Sequence, residues 1–226
     1  MSASPTQCRR AVRAARPIPA AARTRAPGRV FVISSPSGGG KTTVVERLRR
    51  MMPQLSRSVS VTTRTPRSGE RKGRDYRFVS RATFQRLQRS GQLLEWARVH
   101  GASYGTPRRR VLDTLRRGGS IVLSIDVQGA RQIRRALGPQ AALIFLLPPS
   151  MTHLRQRLAA RNTETPMAIR RRLAAARREM ACAAWYDYAV VNDRLDHTVR
   201  RVARIIRTAQ RAPTRTIARR PKGEPQ

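Results

Sequence analysis

The sequence predicts an α/β domain: a parallel sheet flanked by helices, carrying a small mixed insertion and a helical lid. Three observations predict it. Apolar runs of strand length alternate with segments of helical spacing along most of the chain, the pattern of a sheet covered on both faces. Three consecutive glycines, Gly38-Gly39-Gly40, stand between the first strand and the first helix. Two intervals break the alternation: 58–106 is strand-rich with little helix, and 150–178 reads as two basic helices around a polar loop. A chain of 226 residues suits one such domain.

Residues 1–28 are rich in Ala, Arg and Pro and hold no acid, so composition predicts a disordered basic tail. They lack the apolar stretch of a secretory signal. A cytoplasmic location is expected, with organelle import through this arginine-rich segment as the alternative. The domain, 29–211, opens on the apolar run Val30-Phe31-Val32-Ile33, a buried strand. Val44, Leu48 and Met51 then recur at helical spacing until Pro53. Ser58–Thr63 alternates as a strand, and Arg74–Val79 is a second. Ser80 caps a short helix ended by Gly91, and Leu93–Val99 is a further strand. The turn 100–105 leads to Thr106-Pro107, an N-cap and first-position pair. Ser120–Ile125 is a buried strand ending at Asp126, and Gly138-Pro139 closes the helix after it. Ala141–Leu147 is another buried strand. Ser150 and Thr165 cap the two basic helices, Ala189–Val191 is a last strand, and Leu195, Val199, Val202 and Ile206 mark an amphipathic closing helix. A basic tail, 212–226, follows.

The glycine run belongs to Ser35-Pro36-Ser37-Gly38-Gly39-Gly40-Lys41-Thr42-Thr43. A strand before and a helix after give it the context of a phosphate-binding loop of the P-loop NTPase type. Glycines leave the backbone N–H groups free to wrap an anion, and the helix N-terminus adds its positive end. Lys41 supplies a point charge for the outer phosphates, and Thr42 a hydroxyl for Mg²⁺. Ser35 replaces the first glycine of the pattern.

Asp126 stands where a buried strand runs out, the edge at which open parallel sheets bind ligands; the plain alternative is a helix cap. Arg64 and Arg67 flank the stiff Thr65-Pro66 and suit a phosphate monoester, with Tyr76 and Tyr104 as hydroxyl donors. Glu95 on a strand can accept from the paired N–H donors of guanine, or be an ordinary surface residue. Arg157, Arg161 and Arg172 on the lid can screen a transferring phosphoryl group, or be a solvated helix face. Trp96 and Trp185 are expected to pack rather than to stack bases.

The balance of 48 basic against 12 acidic residues gives +36, nearly all of it arginine, since lysine occurs only at 41, 72 and 222. The excess is spread along the chain, which argues against a dedicated nucleic-acid stripe. Salt-sensitive, non-specific adhesion to polyanions is expected. No apolar run approaches a membrane span. Cys8 and Cys182 form no disulfide framework or metal cluster.

Several ordered segments resemble the guanylate kinase family over about residues 29–208. They are 35–43, Ser60 through Arg67, Gly69-Glu70, Asp75-Tyr76, Glu95-Trp96-Ala97, His100-Gly101, Tyr104-Gly105-Thr106, Asp126-Val127-Gln128-Gly129, Arg161-Asn162-Thr163-Glu164 and Val191-Asn192-Asp193. The resemblance implies ATP- and Mg²⁺-dependent phosphorylation of GMP to GDP, with dGMP use left open. It implies that Ser60, Arg64, Arg67, Tyr76 and Tyr104 hold the GMP phosphate. Glu95 and Thr106 would read guanine, with Asp126 also on the nucleotide. Ser35, Pro36, Ser37, Gly38, Gly39, Gly40, Lys41, Thr42 and Thr43 would hold the ATP phosphates, and Asn192 would lie near adenine. Lys41, Arg157, Arg161 and Arg172 would be catalytic. Departures from the pattern are Ser124, where an acid is usual, Ala102, Arg194 and Pro166-Met167. Three other readings stay open on the sequence: a binding module that has lost catalysis, a small-molecule kinase with another phosphorylated acceptor, and nucleic-acid binding through the tails.

Overall fold

The computed structural model describes residues 28–99, 101–160 and 165–212. In chain order its elements are β1 (Val30–Ser34), α1 (Lys41–Met51), β2 (Ser56–Arg57), β3 (Val61–Thr62), β4 (Arg77–Phe78), α2 (Arg81–Arg89), β5 (Leu93–Val99) and β6 (Ala102–Pro107). Then come α3 (Arg108–Arg116), β7 (Ile121–Ser124), α4 (Val127–Leu137), β8 (Ala141–Leu147), α5 (Met151–Ala159), α6 (Pro166–Ala181), β9 (Tyr188–Val191) and α7 (Leu195–Arg211). The predicted basic tails lie outside the described residues, apart from Gly28 and Ala212, as does the predicted lid residue Arg161.

The main sheet has the order β2-β7-β1-β8-β9, all parallel. Its three central strands, β1, β7 and β8, are apolar on both faces because both are covered. Alternate side chains go to opposite sides. Phe31, Ile33, Val122, Ile144 and Leu146 pack with Val44, Val45 and Leu48 of α1 and Val199, Val202 and Ile206 of α7. Val30, Val32, Ile121, Leu123, Leu143 and Phe145 pack with Val111 of α3 and Ala130 and Ile133 of α4. Central β1 and its neighbour β7 both end at the same edge, so the loops after them meet there. Among the described residues no helix is long and apolar enough to cross a membrane.

The second sheet, β4-β3-β6-β5, is mixed: β3 and β4 are parallel, while β6 is antiparallel to both β3 and β5. Here the expected elements change. The strand 58–63 shrinks to β3, because the chain first pairs Ser56-Arg57 with β7 of the main sheet and then crosses over. The strand 74–79 shrinks to β4. The expected turn 100–105 is mostly strand: Tyr104, Gly105 and Thr106 pair with Ala97, Trp96 and Glu95. Gly105 lies there for space, since a Cβ would come within 2.8 Å of a Leu93 methyl. Pro107 is the N-cap residue of α3 and makes no side-chain cap bond. Thr106 is thereby released from the expected capping role. Trp96 is 41 % exposed rather than packed, because the odd register of β5 is taken by Leu93, Glu95 and Ala97.

Candidate active site

The loop after β1 is held from within. The Gly39 N–H donates to the Pro36 carbonyl at 2.8 Å, and the Lys41 ammonium curls back to the Ser35 carbonyl at 2.8 Å. Gly40 has φ +88°, the left-handed region that side chains disfavour, and a Cβ there would lie 2.7 Å from Asn192 Nδ2. That close approach is used. Asn192, 5 % exposed after β9, donates its amide to the Gly39 carbonyl at 2.8 Å. Arg157 of α5 donates to the Asn192 carbonyl at 3.2 Å.

The loop forms one wall of a cleft of about 210 Å³ between the two sheets. All nine residues 35–43 line it. Ser60, Arg67, Tyr76, Glu95 and Tyr104 line it too, with Ser124 and Asp126 from the end of β7 and the start of α4 and Arg172 of α6. A larger groove along α7 is lined by Arg200, Arg201, Arg204 and Arg207 and by no residue of the glycine loop; the cleft is where the chemistry-bearing side chains converge.

Glu95 has the most unusual surroundings. It lies on the inward face of β5 and is 3 % exposed. Thr106 on β6 donates its hydroxyl to Glu95 Oε1 at 2.6 Å. The other oxygen sits against α4: a Cβ on Gly129 would be 2.3 Å from Oε2. Burial, with nearby Asp126 adding to it against the Thr106 hydrogen bond, pushes the Glu95 carboxyl up to about 7. Asp126 is a helix cap, as its plain alternative expects. Its Oδ1 caps α4 by accepting from the Gly129 N–H at 2.9 Å, Oδ2 accepts from Gln128 at 3.1 Å, and the residue lines the cleft.

Arg64 is bound into a framework. Its Nη2 donates to both Glu70 oxygens at 2.8 and 2.9 Å, and its Nε donates to the Tyr104 hydroxyl at 3.2 Å. Its guanidinium lies 5.4 Å from the centre of the Tyr76 ring. Burial opposes the charge of Arg64, but the Glu70 and Tyr104 bonds outweigh it and raise its pKa. Burial likewise opposes Glu70, but Arg64 and the Arg67 N–H hold its pKa below the usual range. Burial pushes the Tyr76 phenol up, Tyr104 adding to this and Arg64 opposing it.

A family model for guanylate kinase matches residues 27–209. The chain belongs to the guanylate kinase family. It is 44 % identical over 85 % of its length to the guanylate kinase of Thiobacillus denitrificans, covering 92 % of that protein. It is 46 % identical over 81 % of its length to that of Bordetella pertussis, covering 85 % of it. The fold matches a crystal structure of guanylate kinase from Anaplasma phagocytophilum, with TM-score 0.72 and 36 % identity, over 85 % of this chain and 92 % of that one.

Of the residues that the guanylate kinase resemblance singles out, the cleft gathers the loop, Ser60, Arg67, Tyr76, Glu95, Tyr104, Asp126 and Arg172. Arg64, Thr106, Arg157 and Asn192 stand behind the cleft wall and grip residues that line it or bracket it. Sequence reasoning missed two acids. Glu70 orders Arg64 and Arg67 together, and its place three residues after Arg67 in an acid-poor chain was an available signal. Glu179 of α6 accepts from the Ser37 N–H at 3.1 Å; nothing local marks it, because the partners are 142 positions apart. Among the described residues no group of three or more His, Cys, Asp or Glu could hold a metal by itself.

Proposed function

We propose that this protein phosphorylates GMP with MgATP, giving GDP and ADP, by in-line transfer in the cleft between its two sheets. The observation that carries the reading is that one cleft is lined both by a glycine loop ending in Lys41-Thr42 and by a buried carboxylate, Glu95. The two are the ends of one substrate pair: an anion cradle for a triphosphate, and an acceptor for the N1–H and exocyclic amine of guanine. The domain is 29–211, with 58–106 as the acceptor-binding part and 150–178 as the lid.

The acceptor atom is an oxygen of the GMP phosphate, already ionised, so the protein needs no strong base. Arg67, Tyr76, Tyr104 and Ser60 hold that phosphate, while Arg64, fixed by Glu70, orients Tyr104 and supports Tyr76. Lys41 and the loop N–H groups hold the donor phosphates. Mg²⁺ would be held by the Thr42 hydroxyl together with the donor phosphates and would offset their charge, with Asp126 and the Ser124 hydroxyl lining the same cleft. Arg172 offsets charge on the transferring group, and Asn192 shapes the loop under the nucleotide. Catalysis is positioning plus charge neutralisation. The reaction is expected in the cytoplasm, where both nucleotides are held.

A coupled ADP-release assay with GMP, AMP, CMP and UMP offered in parallel tests this. Turnover confined to GMP supports it. Turnover with another acceptor, or ATP binding without any turnover, overturns it.

A further inference from the structure

The lid-side helix α6 presents one stripe to the rest of the molecule. Arg172, Ala176 and Glu179 fall at positions i, i+4 and i+7, so they share a face about two turns long. Arg172 lines the cleft. Ala176 is fully buried and packs with Leu154 and Leu158 of α5. Glu179 accepts the Ser37 N–H at 3.1 Å. The next loop residue, Gly38, lies so close to α5 that a Cβ on it would meet Leu158 at 2.8 Å. Thus α5 and α6, which share a small apolar core of their own, seat on two adjacent residues of the phosphate loop: one contact apolar, one a hydrogen bond.

We propose that Glu179 is a positioning residue, whose carboxylate ties Ser37 of the phosphate loop to α6 and so sets where Arg172 stands over the cleft. Glu179 is not among the residues that line the cleft. It acts through the loop at one end and through the helix at the other. Burial raises its pKa against the pull of Lys41 and the Ser37 N–H, which fits a group enclosed between elements rather than a solvated surface acid. A helix tied at Glu179 delivers Arg172 about 10 Å further along its axis in a fixed direction, at 1.5 Å rise per residue. An untied helix would have to find that direction at each turnover.

The inference rests on the phosphate loop being the ATP site, and its test is chosen to stand apart from that reading. Amide hydrogen exchange of the full-length protein without nucleotide is the first measurement. Glu179→Ala should speed exchange at the Ser37 N–H by about tenfold or more, since the amide loses its acceptor. Glu179→Gln, whose amide oxygen still accepts, should stay within about threefold of wild type. Unchanged exchange in Glu179→Ala, or equal acceleration in both variants, overturns the inference even if the protein phosphorylates GMP normally. Should Glu179→Ala fail to fold, Glu179→Leu replaces it with the volume retained. Steady-state kinetics follow: kcat should fall about tenfold in Glu179→Ala with the KM for GMP within about twofold. In an Arg172→Ala background the same change should lower kcat less than about twofold, because the two residues act in series. A full, additive loss in that background would sever Glu179 from Arg172 and overturn the positioning role. Absence of GMP turnover in wild type would refute the proposed activity and leave the exchange result to decide the tether.

Discussion

Replacing Glu95 by Gln separates its role in recognition from its effect on stability, and both are set by pH. The carboxyl is pushed from an ordinary 4.5 up to about 7 in the free protein. The proposed guanine recognition would use the ionised form, because two N–H donors need a carboxylate that carries no proton. The ionised fraction is about one in eleven at pH 6 and about ten in eleven at pH 8, so kcat/KM for GMP should rise about tenfold across that interval. GMP titrates there too, through its own phosphate. Glu95→Gln keeps that substrate titration and removes the protein's, so the ratio of wild type to variant isolates Glu95. The stability sign is the opposite. A carboxyl whose folded pKa is raised stabilises the fold fully only below its unfolded value of 4.5, and the contribution is lost as pH rises through 7. Between pH 5 and pH 8 the wild type should lose about 2 to 3 kcal/mol that Glu95→Gln does not lose. That is a relative gain in Tm of about 5 to 10 °C for the variant at pH 8. Any constant cost of burying the amide cancels in the comparison between the two pH values. A wild-type-to-variant ratio of kcat/KM that is flat in pH, or a Tm difference that is equal at pH 5 and pH 8, would refute the assignment of Glu95 as a buried, near-neutral carboxyl that reads guanine.

Gly129→Ala is expected to improve the helix and impair the site: the new Cβ would sit 2.3 Å from Glu95 Oε2, so KM for GMP should rise about tenfold while ATP binding by calorimetry stays within about twofold. Asn192→Ala leaves the buried Gly39 carbonyl without its donor and should cost about 1 to 3 kcal/mol in chemical denaturation, together with weaker ATP binding; unchanged values in both would remove it as the brace of the loop. Lys41→Ala should lower kcat by about a thousandfold or more with secondary structure intact by circular dichroism, and near-normal turnover would sink the mechanism.

Most of the main sheet was legible because β1, β7 and β8 are continuous apolar runs and the helices have periods, so each announces itself within about ten residues; β2, Ser56-Arg57, is two polar residues paired with β7 and carries no such run. The second sheet was less so. β3 and β4 are two residues each, held by pairings with a distant strand, and no local period can mark a strand that short. Tyr104-Gly105 looked like the end of a turn because glycine favours turns; here the glycine clears room for Leu93. For Glu95 the alternation Leu93, Glu95, Ala97 already placed a carboxylate among inward-facing residues, so burial could have been read before guanine was considered. Its hydrogen bond to Thr106 and its fit against Gly129 could not, since they depend on where β6 and α4 dock.

Arginine is nearly uninformative in this chain, and its acids are informative for the same reason. With 48 basic residues against 12 acidic ones, an arginine at any exposed position needs no explanation, whereas a carboxylate that is buried or half-buried has a surplus of cations to choose from and is still found where it is. Among the described residues four acids lie in or against the cleft, and each faces something other than a plain surface ion pair: Glu70 grips Arg64 and the Arg67 N–H, Glu95 takes a threonine hydroxyl, Asp126 caps α4, and Glu179 takes the Ser37 N–H. Hydrogen bonds of this kind fix direction as well as distance, which the looser arginine pairs at 3.5 Å, Arg47–Asp196 and Arg109–Asp113, do not. A net charge of +36 is expected to attract polyanions without discrimination, so under the proposed activity the selectivity for one nucleotide would come from such directional contacts, and the scarce acids would supply them.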